Sequence, residues 1–208
     1  MNAAIQTIDV SELPPHVEDH TSPIWWGNVF LLCIETTMFA LCVAAYFYVR
    51  MNFTAWPPNR SDTSLYATNP DLGFSTANLF LLLVSVIPMA LVDRACLRMN
   101  LNAVRIGMSV MVFVGFVTIA LRFYEFAGLH FRWDDNAYAG VAWSILVLHL
   151  LHLITGTAEN LLMCVWVWLK GLDIKHARDV RVGAAYWYWI AGIWIPLYAI
   201  VFWAPRWL

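Results

Sequence analysis

Long runs of apolar residues, almost free of charged side chains, limit what this chain can fold into. A transmembrane α-helix requires about 20 consecutive, mostly apolar residues, and five segments meet or approach that length. They cover residues 26–49, 76–92, 104–126, 137–169 and 184–203. Because the apolar residues are continuous rather than alternating with period two, helices are favoured over a membrane β-barrel. We therefore predict an all-α integral membrane protein with five spans; four or six spans are the alternatives by hydropathy.

The composition excludes the other classes of protein. Hydrophobic types account for 61% of the 208 residues and charged types for 12%, whereas a soluble domain has roughly 45–50% apolar and about 25% charged residues. A chain with so few charged side chains cannot cover itself with a water-facing surface. No basic run indicates nucleic-acid binding, and the four cysteines form no C-x-x-C pair that would indicate a zinc site.

The N-terminal segment differs from the rest of the chain. Residues 1–23 contain no Lys or Arg and no apolar core, so the pattern of a secretory signal peptide is absent. We predict that residues 1–25 form an extended acidic tail and that residues 26–208 form one five-helix domain. The loops after the second and fourth spans carry seven basic residues, and the other connections with the C-terminal end carry five. The positive-inside rule then places the N-terminus, with its tail, in the cytoplasm and the C-terminus outside.

Ionisable side chains within the spans are informative because charges are costly in hydrocarbon. Glu35 lies nine residues into the first span with no Lys or Arg nearby, so it must be neutral or meet a donor from another helix. At about 100° per residue, His149, His152, Gly156 and Glu159 fall on one stripe of the fourth span. Gly156 would allow a neighbouring helix to approach closely.

Three interpretations compete for this stripe. Ligation of a metal or haem is disfavoured, because two histidines three residues apart on one helix cannot bind both faces of a haem. The first alternative is a proton relay that includes Glu35, since such chains of residues mark proton paths in membranes. The second is a polar network that holds helices together, around a lipid headgroup in one version. Near the end of the third span, Arg122 and Glu125 are spaced to pair on the helix surface, and we predict an interfacial pair.

Seven short motifs follow one another along nearly the whole chain. They are Gly27 with Ile34-Glu35 and Met38-Phe39, Trp56-Pro57-Pro58, Asn69-Pro70, Asn78 with Ser85, Leu121 to Phe126, His149-Leu150-Leu151-His152 with Gly156 and Thr157, and Tyr186-Trp187 with Trp194. Each motif alone is common, but in this order they resemble subunit III of the haem–copper cytochrome oxidases. The five spans are similar to a bacterial form of that family without the first two helices of the seven-helix form.

The chain departs from the family pattern at several polar positions. Ile34 replaces the serine before the buried glutamate, and Leu150 replaces the glycine between the histidines. Arg122 stands where the family has a glutamine. In the last helix, Tyr188 and Gly192 replace a histidine and an aspartate. The polar cluster at that end of the family's bundle is therefore partly replaced.

The resemblance implies a non-redox subunit of a terminal oxidase that reduces oxygen to water and pumps protons across a bacterial inner membrane. Haem and copper would belong to partner subunits I and II, and this chain would contain no metal and no catalytic residue. It would stabilise subunit I, bind structural phospholipid and support proton uptake, alone or within a larger supercomplex. Glu35 and His152 would form a buried pair, with His149 and Glu159 in the same network. The residues expected to contact lipid or another subunit are Trp26, Trp56, Asn78, Tyr186, Trp187 and Trp194.

Two other functions remain as alternatives. One is an accessory subunit of a nitric oxide reductase system, which shares this helical family. The other is a small stand-alone transporter with a substrate cavity lined by Glu35 and Glu159. The chain shows no internal repeat, which disfavours the transporter.

Overall fold

Five long helices make up the described part of the molecule. The computed structural model describes residues 23–53, 56–57 and 69–207, and these contain no strand. The helices are α1 (Pro23–Arg50), α2 (Gly73–Leu97), α3 (Leu101–Ala127), α4 (Ala137–Lys170) and α5 (Ile174–Tyr198), and α5 continues through a π-helical segment (Ala199–Trp203) into the short α6 (Ala204–Trp207). All five long helices are long and apolar enough to cross a membrane. The predicted all-α membrane fold is therefore confirmed.

The helices are longer than the apolar runs from which they were predicted. Asn100, Asn136 and Asp173 each cap a helix by accepting a hydrogen bond from the backbone N–H three residues later. The cap at Asp173 starts α5 ten residues before the predicted span, because the first turns of this helix are charged and hydropathy does not register them. Most of the predicted acidic tail, residues 1–22, lies outside the described residues, but its last three residues belong to α1. Proline is favoured in the first turn of a helix, which is consistent with a start at Pro23.

The connection between α4 and α5 is tight. Gly171 ends α4 with a φ of +87°, a conformation that side chains with a Cβ rarely adopt. The chain therefore reverses between Lys170 and Ile174, and α5 packs beside α4.

The helices are not equally covered. The helices α2, α3, α4 and α5 pack against one another, and α1 lies outside this group, mainly against α4 and α5. Only Phe39 and Tyr46 are buried on α1, whereas 14 residues are buried on α4. The centre of the molecule is therefore α4, and α1 leaves most of its surface open to lipid or a partner.

Two glycines allow the close approach of neighbouring helices. A Cβ on Gly115 of α3 would lie 2.5 Å from Oγ1 of Thr157 on α4. A Cβ on Gly156 of α4 would lie 2.8 Å from Cδ1 of Ile190 on α5. The close approach expected at Gly156 is thus present, and α5 is the helix that makes it.

The two ends of the bundle differ in chemistry. At one end, which we call the aromatic end, Trp56 Nε1 donates to the Tyr46 hydroxyl at 2.9 Å and its ring lies 4.9 Å from that of Tyr138. At the other end, which we call the basic end, Arg181 on α5 binds Asp93 on α2 at 2.9 Å. Arg105 on α3 donates to backbone carbonyls in the last turn of α4. The basic end holds the α2–α3 and α4–α5 turns and all seven basic residues of the loops assigned to the inside.

Candidate functional site

Glu35 of α1 and His152 of α4 meet within the membrane-spanning part of the bundle. Oε2 of Glu35 lies 2.9 Å from Nε2 of His152. The other ring nitrogen of His152, Nδ1, lies 2.7 Å from the carbonyl oxygen of Leu148, one turn earlier on α4. The side chain of Glu35 is 22% exposed, and the side chain of His152 is 8% exposed. The pair is therefore a largely buried polar contact between α1 and α4.

The geometry of this pair restricts where its proton can lie. A backbone carbonyl only accepts hydrogen bonds, so Nδ1 of His152 carries a hydrogen. Nε2 then either donates to an ionised Glu35 or accepts the proton of a neutral Glu35 carboxyl. In both cases the two side chains share one proton across a single hydrogen bond, so the contact can hold a proton at either atom.

Three aromatic side chains pack around the imidazole ring of His152 and form an aromatic shell. The ring centroids of Phe39 and Trp189 lie 5.2 and 5.4 Å from that of His152. Trp189 Nε1 also donates to the Thr36 hydroxyl at 2.9 Å, and this hydrogen bond links α1 to α5. Tyr186 contributes a further ring and shares a hydrogen bond with Thr155 at 3.2 Å. This shell limits the access of water to the shared proton.

A second polar cluster lies deeper in the bundle, around Arg122 of α3. Its guanidinium pairs with the Glu125 carboxylate, and the side chains of both residues are fully buried. Asn78 Nδ2 on α2 donates to the other oxygen of Glu125 at 2.6 Å. The guanidinium carbon also lies 3.8 Å from the ring centroid of Trp194 on α5, within the range of a cation–π interaction.

His149 connects this cluster to α5. Arg122 Nη2 lies 2.8 Å from His149 Nδ1, and because arginine only donates, Nδ1 accepts this hydrogen bond. Nε2 therefore carries the hydrogen and donates to the carbonyl oxygen of Ile190 at 3.1 Å. The imidazole also stacks on Trp194 with 4.4 Å between ring centroids. The structure thus assigns His149 the neutral tautomer with hydrogen on Nε2.

The position of Arg122 and Glu125 corrects the sequence interpretation. We expected a pair at the surface of the third span, but it lies in the interior among four helices. The physical reason is that Asn78, His149 and Trp194 supply partners from three other helices, which the spacing of two residues on α3 cannot reveal.

Neither histidine offers a free nitrogen to a metal or haem. Both nitrogens of His149 contact Arg122 and Ile190, and both nitrogens of His152 contact Leu148 and Glu35. Phe39 contacts both imidazole rings and lies between the two polar clusters. These two histidines as placed therefore do not fit haem ligation.

Glu159 does not join the polar network in which it was predicted to take part. Its carboxylate lies against Gly183 of α5, where a Cβ would be 3.0 Å from Oε1. Its side chain makes no hydrogen bond or ion pair with another residue in the part of the chain that the structure describes. Of the four predicted network residues, the structure brings Glu35 and His152 together, places His149 one turn away, and leaves Glu159 apart.

Most of the residues expected to contact lipid or another subunit are inside the chain. The side chains of Trp56, Asn78, Trp187 and Trp194 are buried. Each has an internal contact instead; for example, Trp187 Nε1 donates to the Ser85 hydroxyl at 2.9 Å. The prediction is therefore wrong for these four, because other parts of the chain cover them: Trp56, Asn78 and Trp187 each donate a hydrogen bond inside the bundle, and the ring of Trp194 packs on Arg122 and His149. Trp26 is 47% exposed and Tyr186 is half-buried, so both remain candidates.

Sequence comparisons give the same family along most of the chain. A family model described as cytochrome c oxidase subunit III matches residues 9–206. Cytochrome c oxidase subunit 3 of Anopheles quadrimaculatus is 25% identical over 197 residues, which are 88% of this chain and 72% of the relative. The Homo sapiens protein of the same name is 22% identical over 204 residues, 94% of this chain and 76% of the relative. The Spodoptera frugiperda protein of the same name is 26% identical over 148 residues, which are 71% of this chain and 97% of the relative.

Proposed function

The chain belongs to the cytochrome c oxidase subunit III family, as a multi-pass membrane subunit of an oxidase complex, and we propose that it stabilises subunit I and supports proton uptake through Glu35 and His152. The complex reduces oxygen to water and couples that reaction to proton pumping. Haem and copper lie in subunits I and II and supply the redox chemistry. This chain contributes packing and a buried proton-holding pair.

The Glu35–His152 contact is the observation that carries this proposal. It joins the outermost helix, α1, to the central helix, α4, and it shares one proton inside an aromatic shell. A carboxyl and an imidazole are costly in hydrocarbon unless they meet each other, and in membrane proteins such residues are commonly functional. Because α1 is largely uncovered within this chain, its outer surface is available to subunit I.

Substitution of Glu35 in the assembled oxidase tests the proposal. Glu35→Gln retains the size and a hydrogen bond to His152 but removes the shared proton, so we expect slower turnover or a less stable complex with unchanged haem content. Glu159→Gln is the matched control, since it also removes a carboxyl group from the spans, but one that makes no hydrogen bond to another described residue. Haem loss from a Glu35→Gln complex that remains assembled would contradict the non-redox role. Unchanged turnover, proton uptake and stability would contradict the support role.

Two finer points of the proposal have their own tests. The partner subunits are those of an oxidase rather than a nitric oxide reductase, so copper should co-purify with the chain in the intact complex. A copper-free partner that contains non-haem iron would contradict this. The bacterial cytoplasmic membrane as its location stays a prediction, which fractionation of the source cells tests.

A further inference from the structure

A groove between α2 and α3 opens at the basic end of the bundle, away from the polar clusters. Its volume is about 550 Å³. Its walls are apolar, with Pro88 and Leu91 from α2 and Ile106 and Val110 from α3. Gly107 lies at the floor, where a Cβ would be 2.4 Å from Cγ2 of Val92. The groove therefore exists partly because a glycine lets the two helices cross closely.

The end of the groove nearest the α2–α3 turn is cationic. Arg94 and Arg98 lie four residues apart on α2 and both line the groove. Both side chains are exposed, and neither makes a hydrogen bond or ion pair with another residue of the described ranges. The adjacent carboxylate, Asp93, is engaged by Arg181 of α5 at 2.9 Å. No acidic residue is among those that line the groove, so the two positive charges there are uncompensated by this chain.

We propose that this groove binds an anionic phospholipid. An acyl chain of the lipid lies against the apolar walls, and its phosphate lies between Arg94 and Arg98. The arginines lie in the last turn of α2 and just beyond it, at the depth where a helix leaves the hydrocarbon for the headgroup region. A phosphate accepts paired hydrogen bonds from guanidinium groups, and clustered basic residues beside a transmembrane helix attract acidic lipid.

The shape and the charge favour this occupant over others. The volume falls in the range of about 300–1,000 Å³ that is typical of small-molecule sites, which suits a lipid chain better than a protein helix. A zwitterionic lipid would leave the excess positive charge uncompensated, whereas a lipid with a net negative headgroup matches it. The site lies within this chain and does not depend on the proposed role of Glu35 and His152.

Native mass spectrometry of the full chain in detergent micelles tests the proposal, with phosphatidylglycerol and phosphatidylcholine as probes. We expect phosphatidylglycerol to bind the wild-type chain more tightly than phosphatidylcholine. The double variant Arg94→Gln/Arg98→Gln should bind phosphatidylglycerol about 30-fold more weakly, because each basic residue near an acidic lipid contributes roughly a fivefold factor. The matched control is Lys170→Gln/Lys175→Gln, which removes two exposed charges from the same end but outside the groove. The control should bind as the wild type does.

A second variant tests the apolar part of the site without a change of charge. Ala103 is exposed and lines the groove, so Ala103→Trp should fill it and displace the acyl chain. Ala77→Trp adds the same bulk at an exposed position of α2 outside the groove and should leave lipid binding unchanged. Equal binding of the two lipids, or equal weakening by the Lys170/Lys175 control, would overturn the proposal. It would also be overturned if a photo-crosslinker at position 106 captured another protein subunit in the complex instead of lipid.

Discussion

Arg122 places a positive charge inside the bundle, where its guanidinium contacts a carboxylate, an imidazole and an indole ring. The family pattern has a neutral glutamine at this position. A buried ion pair contributes little net stability, but the loss of one partner is costly because an uncompensated charge is left behind. The effect of a substitution at Arg122 therefore depends on whether the side chain at position 125 is charged.

Replacement of Arg122 by glutamine should destabilise the protein strongly. We expect Arg122→Gln to lower the free energy of unfolding by about 3–5 kcal/mol, because Glu125 then remains buried without its counter-charge. The double variant Arg122→Gln/Glu125→Gln should recover much of this loss, since two amides can hydrogen-bond to each other and to Asn78. Denaturant titration in mixed micelles measures all three proteins. Equal destabilisation of the single and double variants would contradict the ion-pair account.

Asp173 at the start of α5 should make that helix end sensitive to acid. Hydrogen bonds from the backbone N–H and the Nδ1–H of His176 favour its carboxylate and hold the pKa of Asp173 below its ordinary value. The stabilisation is therefore present above the unfolded-state pKa and is lost as the pH falls through the lower pKa of the folded state. Carboxyl NMR titration should give a midpoint below that of an ordinary aspartate side chain. Asp173→Ser keeps the cap without a charge, so the acid-dependent fraying of α5 should disappear.

The sequence allowed the Glu35–His152 pair to be anticipated but not the cluster around Arg122. A lone carboxyl in an apolar run needs a partner, and His152 was one of two candidates on a single helix stripe. Arg122 lies near the end of an apolar run, and Glu125 three residues later offers it a counter-charge on the same helix. The local sequence therefore gives no sign that Arg122 needs a partner from another helix. Only the packing of four helices reveals that His149, Asn78 and Trp194 complete its environment.

At the scale of the helices, apolar runs located all five spans but not their ends. The ends are set by capping side chains such as Asn136 and Asp173, whose hydrogen bonds extend helices into polar sequence. The sequence also did not show which face of a helix turns towards the interior of the bundle. Trp187 and Trp194 of α5 were expected to contact lipid or another subunit, yet both are directed inward, where Trp187 donates to Ser85 and Trp194 packs on Arg122.

The crossing of α3 and α4 at Gly115 should tolerate less added volume than the crossing of α4 and α5 at Gly156. A Cβ at Gly115 meets the β-branched Thr157, whose rotamer is restricted in a helix. A Cβ at Gly156 meets the flexible end of Ile190. We expect Gly115→Ala to destabilise the protein by about 1–3 kcal/mol and Gly156→Ala to have a smaller effect in thermal unfolding. Thr157→Ala should rescue Gly115→Ala; a lack of rescue would contradict this steric explanation.

At the scale of the whole molecule, the distribution of basic residues between the two ends of the bundle allows its orientation in the membrane to be predicted. The structure gathers seven basic residues at one end, and Arg122, one of the five assigned to the other side, is buried in the bundle and does not belong to a loop. The excess of basic residues at the basic end is therefore larger than the count from the sequence suggested. The positive-inside rule then predicts that the basic end, with the start of α1, faces the cytoplasm.

Cysteine labelling checks this orientation. In a background without the native cysteines Cys33, Cys42, Cys96 and Cys164, Lys175→Cys should react with a membrane-impermeant maleimide only from the cytoplasmic side. Asp134→Cys, at the aromatic end, should react only from the outside, since both positions are exposed. The reverse pattern would invert the assigned topology.

The contact between Glu35 and His152 also has a consequence for biogenesis. The two residues are 117 positions apart in the chain, so at about 5–20 residues per second the ribosome needs roughly 6–23 s to synthesise the histidine after the glutamate. During that interval α1 enters the bilayer with a carboxyl that no other helix meets. We therefore expect α1 either to carry Glu35 as the neutral carboxylic acid in that interval or to stay beside the insertion machinery, a chaperone or an early assembly partner until the fourth helix arrives.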